Sequence, residues 1–109
     1  VSLLEVGAQT YLKAGLEREK AMHVMEPMVR GAIDNIFRSG TTQALTGPIA
    51  RGDHSIVAKQ LAALSEWNPK VGELYRELGA VALGLSRLQG NASPESLAAL
   101  TELLEKGKH

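Results

Sequence analysis

The chain has 109 residues, twelve Lys and Arg against twelve Asp and Glu, and no Cys. That length is one small domain, the charge balance excludes the basic footprint of a nucleic-acid binder, and the missing thiols exclude disulfides, a cysteine nucleophile and thiolate metal sites. No apolar run reaches the roughly 18–20 residues of a membrane span and no signal-peptide order precedes the first helix, so no membrane role and a cytoplasmic location are expected.

The chain opens on Val1-Ser2-Leu3-Leu4, already in helical pattern and without Met, which reads as a fragment that begins inside a helix. Leu3, Leu4, Ala8, Tyr11 and Leu12 recur at helical spacing, and Gly15 is available for the left-handed residue that ends such a segment. A second helix is predicted over 17–38. Pro27 lies inside it, and because proline lacks a donor and collides with the preceding turn, a kink or break is expected near Met25 and Glu26. Met22, Met25, Val29, Ile33 and Ile36 form one stripe, widened by Met28, Ala32 and Phe37, so this helix is predicted to be central and buried on more than one side. Glu26, Arg30, Asp34 and Arg38 alternate in sign at spacing four and predict an exposed charge ladder.

Asp53 is the expected N-cap of a helix to Trp67 with Val57, Leu61 and Leu64 on its apolar face. Asn68-Pro69 then opens a long helix to Gln89, whose inward face is predicted as Val71, Leu74, Tyr75, Leu78, Val81, Ala82, Leu85 and Leu88. Gly79 and Gly84 within it suggest either close helix approach or tolerated defects. Gly90 stops this helix. Ser93-Pro94 opens a last one with Leu97, Leu100, Leu103 and Leu104 as its face, and 106–109 is a polar tail suited to a helix C-terminus. No segment alternates like a strand, so the fold class is all-α.

The chemistry candidates are few. His23, His54 and His109 share no ligand spacing, and the one Glu19, His23, Glu26 set lacks the second set that a four-helix di-metal site needs, so no metal is expected. The hydroxyl residues have no His and carboxylate that sequence can assemble into a relay, and Gly47 to Gly52 matches neither phosphate-binding glycine pattern. Arg51-Gly52-Asp53 matches the integrin-adhesion tripeptide, but a capping Asp53 in a chain without secretory features argues against that use. What stands out is Ala44 to Asp53, ALTGPIARGD. Gly47-Pro48 is a turn dipeptide, Gly52 permits positive φ or close backbone approach, and Arg51 is a fixed cationic fork suited to a carboxylate or phosphate.

Asn35, Leu45, Thr46, Gly47, Pro48, Arg51, Gly52, Asp53, Val57, Leu61 and Leu64, with Tyr75 and Leu78, resemble the C-terminal helical domain, domain of unknown function 2520, of Rossmann-like oxidoreductases. That domain is similar to the C-terminal domains of pyrroline-5-carboxylate reductase and 6-phosphogluconate dehydrogenase. The resemblance implies a dimerising, 6-phosphogluconate dehydrogenase C-terminal-domain-like fold over 1–109. It implies NADP on a separate N-terminal Rossmann domain not contained in this chain, a homodimer, and no activity for the helical part alone. The cleft would use Asn35, Thr46, Gly47, Pro48, Arg51, Gly52 and Asp53, with the catalytic acid unknown. Gly31 stands four residues before Asn35, where hydroxyacid dehydrogenases carry Lys. The alternative reading is a free-standing helical homodimer or interaction module without catalysis.

Overall fold

A computed structural model describes residues 1–105. The predicted tail at 106–109 lies outside the described residues. Six helices follow in chain order: α1 (Ser2–Lys13), α2 (Arg18–Ala44), α3 (Pro48–Arg51), α4 (His54–Trp67), α5 (Pro69–Gln89) and α6 (Pro94–Leu104). The all-α class is borne out, with no strand among the described residues. No described helix is long and apolar enough to cross a membrane. The chain divides into two compact units, residues 1–40 and 41–109.

In the first unit, α1 ends as its sequence requires: Gly15 takes φ 105°, and the Gly15 and Leu16 amides donate to Leu12 and Tyr11 at 3.0 and 3.1 Å. Arg18, opening α2, grips Glu5 of α1 through two hydrogen bonds of 3.1 and 2.8 Å. The expected charge ladder is present, with Arg30 on Glu26 at 2.8 Å and Arg38 paired with Asp34. Two expectations for α2 need correction. Pro27 is carried inside the helix without a break in its dihedrals, and the residue with non-helical dihedrals is Gly40 (φ 86°, ψ 165°), just past the predicted end at 38, where glycine enters a region closed to other residues. Nor is α2 a buried central helix in the single chain. Ala8, Ala21 and Met25 are the buried apolar residues of this unit, while Met22, Met28, Ile33 and Phe37 remain exposed.

The second unit closes a core of its own. Val57 of α4, Leu83 of α5, and Leu100 and Leu104 of α6 are fully buried, with Ile49, Tyr75, Leu97 and Leu103 packed around them. The predicted face of α6 therefore holds, whereas on the predicted face of α4 Val57 is buried and Leu61 and Leu64 are half-buried. Helices α4, α5 and α6 each start at the predicted cap. The Asp53 carboxylate accepts from the Ile56 amide at 3.4 Å, Asn68 from Lys70 at 3.1 Å and Ser93 from Ser96 at 3.2 Å. Gly90, at φ 81°, ends α5.

The inward face of α5 differs from the predicted one. Val71 is buried as expected, but the other buried positions are Gly72, Arg76, Gly79, Leu83 and Ser86, while Leu78, Val81 and Leu88 are 47%, 66% and 76% exposed. At 100° per residue the two sets lie on opposite sides of the helix. Close approach selects the inner set. A Cβ on Gly72 would sit 2.7 Å from the Ser65 Cα, and one on Gly79 would sit 2.9 Å from the Leu104 Cδ2, whereas Gly84 faces open space.

Candidate functional site

The signature loop is a compact backbone device in the second unit. Gly47, at φ 93°, precedes Pro48 at the first position of the short α3, and the Arg51 amide closes that turn on the Gly47 carbonyl at 3.2 Å. Gly52 then takes a left-handed conformation (φ 75°, ψ 25°), its amide donating to Ile49 at 3.3 Å and that of Asp53 to Pro48 at 2.8 Å. Asp53 caps α4 directly afterwards. Its carboxylate thus takes up a position at the positive end of that helix which an external anion would otherwise share.

Helix α5 clamps the loop from beneath. The buried Ser86 hydroxyl donates to the Ile49 carbonyl at 2.9 Å, and the Gln89 amide nitrogen donates to the Thr42 and Leu45 carbonyls, both at 2.9 Å. These bonds satisfy carbonyls where α2 ends and α3 turns, which helical pairing alone leaves open. Sequence reasoning missed both residues. Their bonds reach carbonyls far along the chain, and nothing in the local sequence of α5 marks them.

The site residues fall into three groups. Thr46 is exposed, Gly47 and Pro48 are half-buried, and nothing approaches within 4 Å of where a Gly47 side chain would begin. Arg51 is exposed and enters no ion pair among the described residues. Gly52 is different. It is buried, and a Cβ there would meet the Ser96 Cβ at 2.7 Å and that of Ala92 at 2.9 Å, so its missing side chain serves contact with the start of α6. Asn35 lies in the first unit, apart in the chain's organisation from the loop residues, and is exposed on α2.

Two further polar arrangements belong to the second unit. Arg76 is 7% exposed and donates to the Leu104 carbonyl at 2.9 Å while pairing with Glu73 and Glu77, so one guanidinium ties α5 to the end of α6. The Tyr75 hydroxyl donates to the Gln60 amide oxygen at 2.6 Å. Burial pushes its pKa above the ordinary tyrosine value, which keeps it a neutral donor at physiological pH. Neither constellation holds a nucleophile with a base. Among the described residues no group of three or more His, Asp or Glu could hold a metal ion.

No curated protein and no solved structure matches the chain. A family model does: the one described as "Domain of unknown function (DUF2520)" aligns with residues 1–82, spanning the first unit, the Thr46 to Asp53 loop, α4 and more than half of α5. That match takes in about three quarters of the sequence and every residue of the loop, and the chain belongs to the DUF2520 family.

Proposed function

We propose that this chain is the dimerisation and substrate-cleft domain of an NADP-dependent oxidoreductase, with the cofactor carried by a partnering Rossmann-type domain and no activity in the helical part alone. The observation that carries this reading is Arg51: an exposed cation with no ion-pair partner among the described residues, projected from a turn closed by its own backbone hydrogen bonds. A guanidinium placed so can clasp a carboxylate or phosphate in two charge-assisted bonds, since it breaks no internal pair to do so. Thr46 supplies a hydroxyl on the same loop, and Gly47 leaves room for a ligand to approach the backbone. Family membership supports the assignment through the resemblance of the loop. Gly52 and Asp53 build the turn in this reading, and the direct contacts fall to Thr46, Gly47 and Arg51.

None of these groups transfers a proton at neutral pH, so they bind and orient while the catalytic acid comes from elsewhere. The test is a titration of the complete polypeptide that carries this domain with NADPH and small keto or imino acids, in wild type and Arg51→Ala. A rise in KM of about tenfold or more is expected, the loss of roughly one charge-assisted contact. Unchanged KM and turnover would remove the loop from the cleft. A free-standing helical homodimer without catalysis is the second reading, favoured by the apolar faces left uncovered on α2 and α5.

A further inference from the structure

The Thr46 to Asp53 loop is not held in place by its local bonds alone. Three carbonyls along the way into it, those of Thr42, Leu45 and Ile49, each accept from a side chain of α5 at 2.9 Å. The donors, Ser86 and Gln89, are three residues apart and share one face of that helix. All five residues belong to the second unit. The Ile49 carbonyl that takes the Ser86 hydroxyl also accepts the Gly52 amide at 3.3 Å, so Ser86 bears directly on the bond that shapes the left-handed turn. On the far side, Gly52 is seated against the start of α6, where a Cβ would lie 2.9 Å from that of Ala92 and 2.7 Å from that of Ser96. Arg51 therefore hangs between two fixed points, the Ile49 carbonyl and the Gly52 backbone, while Thr46 follows a third, the Leu45 carbonyl.

We propose that Ser86 and Gln89 are positioning residues, which hold the loop backbone so that Arg51, with Thr46 and Gly47, meets an anionic ligand in a preset arrangement. This role rests on the cleft reading above and adds the groups that act from behind its contact residues. Two features of Gln89 separate positioning from plain stabilisation. Its amide nitrogen serves two carbonyls at once, one in the last turn of α2 and one directly before Thr46, and so fixes where the chain leaves the helix. Its side-chain oxygen is buried without a hydrogen-bond partner among the described residues. A buried acceptor left in that state opposes folding, so stability alone would be served better by an apolar side chain. Reversing the amide would set that oxygen against two carbonyl oxygens, which leaves one orientation. Ser86 is likewise a fully buried polar side chain on a helix whose neighbouring core residue is Leu83. A guanidinium on a long stem binds an anion more tightly when its backbone is already fixed, because less freedom is lost on binding.

Gln89→Met keeps the length and bulk of the side chain while removing both donors and the unpartnered oxygen together. In the complete polypeptide that carries this domain, the first readout needs no ligand. Exchange of the Arg51, Gly52 and Asp53 amides is expected to quicken by about tenfold or more, with the amides of α4 and α6 unchanged. Unchanged exchange in the loop would show that it holds itself, and equal quickening throughout the second unit would show general stabilisation; either overturns the proposal. The second readout is a titration with pyruvate and with inorganic phosphate, followed at the Thr46 and Gly47 amides in wild type, Arg51→Ala, Gln89→Met and the double variant. Gln89→Met is expected to weaken the tighter anion by about tenfold at unchanged α4 and α6 exchange. The double variant should be weaker than Arg51→Ala by less than about twofold, because Gln89 acts through that guanidinium. Fully additive losses would overturn the proposal, as would wild-type affinity in Gln89→Met. If Gln89→Met does not fold, Ser86→Ala is read in the same way, with a smaller loss expected in the same direction. Arg51→Ala separates the two levels. A weakened Arg51→Ala with an unaffected Gln89→Met fails only the positioning role, whereas an unaffected Arg51→Ala, or a wild type that binds neither anion, fails the cleft reading and the positioning role with it.

Discussion

The two units of this chain contrast in how far each satisfies itself. Residues 41–109 enclose four fully buried apolar side chains, cap three helices with side-chain oxygens and tie the end of α6 down with a buried arginine. Residues 1–40 bury Ala8, Ala21 and Met25, and add an exposed Glu5–Arg18 pair between α1 and α2. Both are helical, and both carry well-formed apolar stripes. The difference teaches that an apolar stripe marks where a helix needs a partner and does not say that the partner is in the same chain. Hydrophobic burial and not helix propensity decides which unit is stable alone, since helices in water are marginal without packing.

The sharpest way to break this contrast is one apolar truncation in each unit. Leu83→Ala removes a fully buried side chain from the core it forms with Val57 of α4 and Leu100 and Leu104 of α6, and is expected to cost about 2–5 kcal/mol in urea denaturation. Ile33→Ala, on an exposed stretch of α2, is expected to cost less than about 0.5 kcal/mol under dilution that keeps the chain monomeric. Equal losses would mean that the first unit has a core of comparable weight, and the comparison would fail.

Arg76 comes next. Arg76→Ala leaves the Leu104 carbonyl without its donor and Glu73 and Glu77 without their shared cation, so the melting temperature should drop, by less than for Leu83→Ala. An unchanged melting temperature would show that water replaces the guanidinium at no cost. This residue also marks the limit of what could be read from sequence. Helix starts were legible because Asp53, Asn68-Pro69 and Ser93-Pro94 act locally, through bonds spanning two or three residues. The rotation of α5 was not. Its leucines are the more hydrophobic side, but inward facing is set by how closely α4 and α6 can approach, and Gly72, Gly79 and Ser86 allow what leucines would block. The break in α2 was misplaced for a similar reason. Proline supplied a strong local signal at Pro27, while Gly40 carried the positive φ. Of the candidate site, the turn itself was legible from Gly47-Pro48 and Asp53. The Ser86 and Gln89 clamps join residues 37 to 47 positions apart and left no local trace.

A smaller effect separates scaffold from site within the loop. Asp53→Ala is expected to cost about 1 kcal/mol through the lost cap on α4, whereas Arg51→Ala leaves stability nearly unchanged, because its side chain has no ion pair among the described residues to lose. Thermal denaturation of the two variants side by side decides it. Greater destabilisation by Arg51→Ala would make that arginine part of the scaffold and remove the main support for the cleft.

The smallest expected effect tests how the first unit is held. Hydrogen bonds from Arg18, and a further one from Gln9, hold the Glu5 carboxyl below its ordinary pKa. A carboxyl depressed in the folded state contributes stability above its unfolded pKa, and that contribution disappears as the pH falls through the lower, folded value. The tether between α1 and α2 should therefore be intact at neutral pH and weaken in acid, below the ordinary glutamate range, with the second unit's core unaffected by this group. Because the pair is solvent-exposed, salt and water screen it and the change is slight. Hydrogen exchange at the α1 amides, compared between wild type and Glu5→Gln across this window, reads it without depending on global unfolding. Wild type should be the better protected at neutral pH, and the two should converge in acid once Glu5 is protonated. Identical protection at every pH would assign α1 to apolar contacts alone, chiefly that of Met25 beside Gly7, where the methionine Cε lies 3.1 Å from the position a Gly7 Cβ would take.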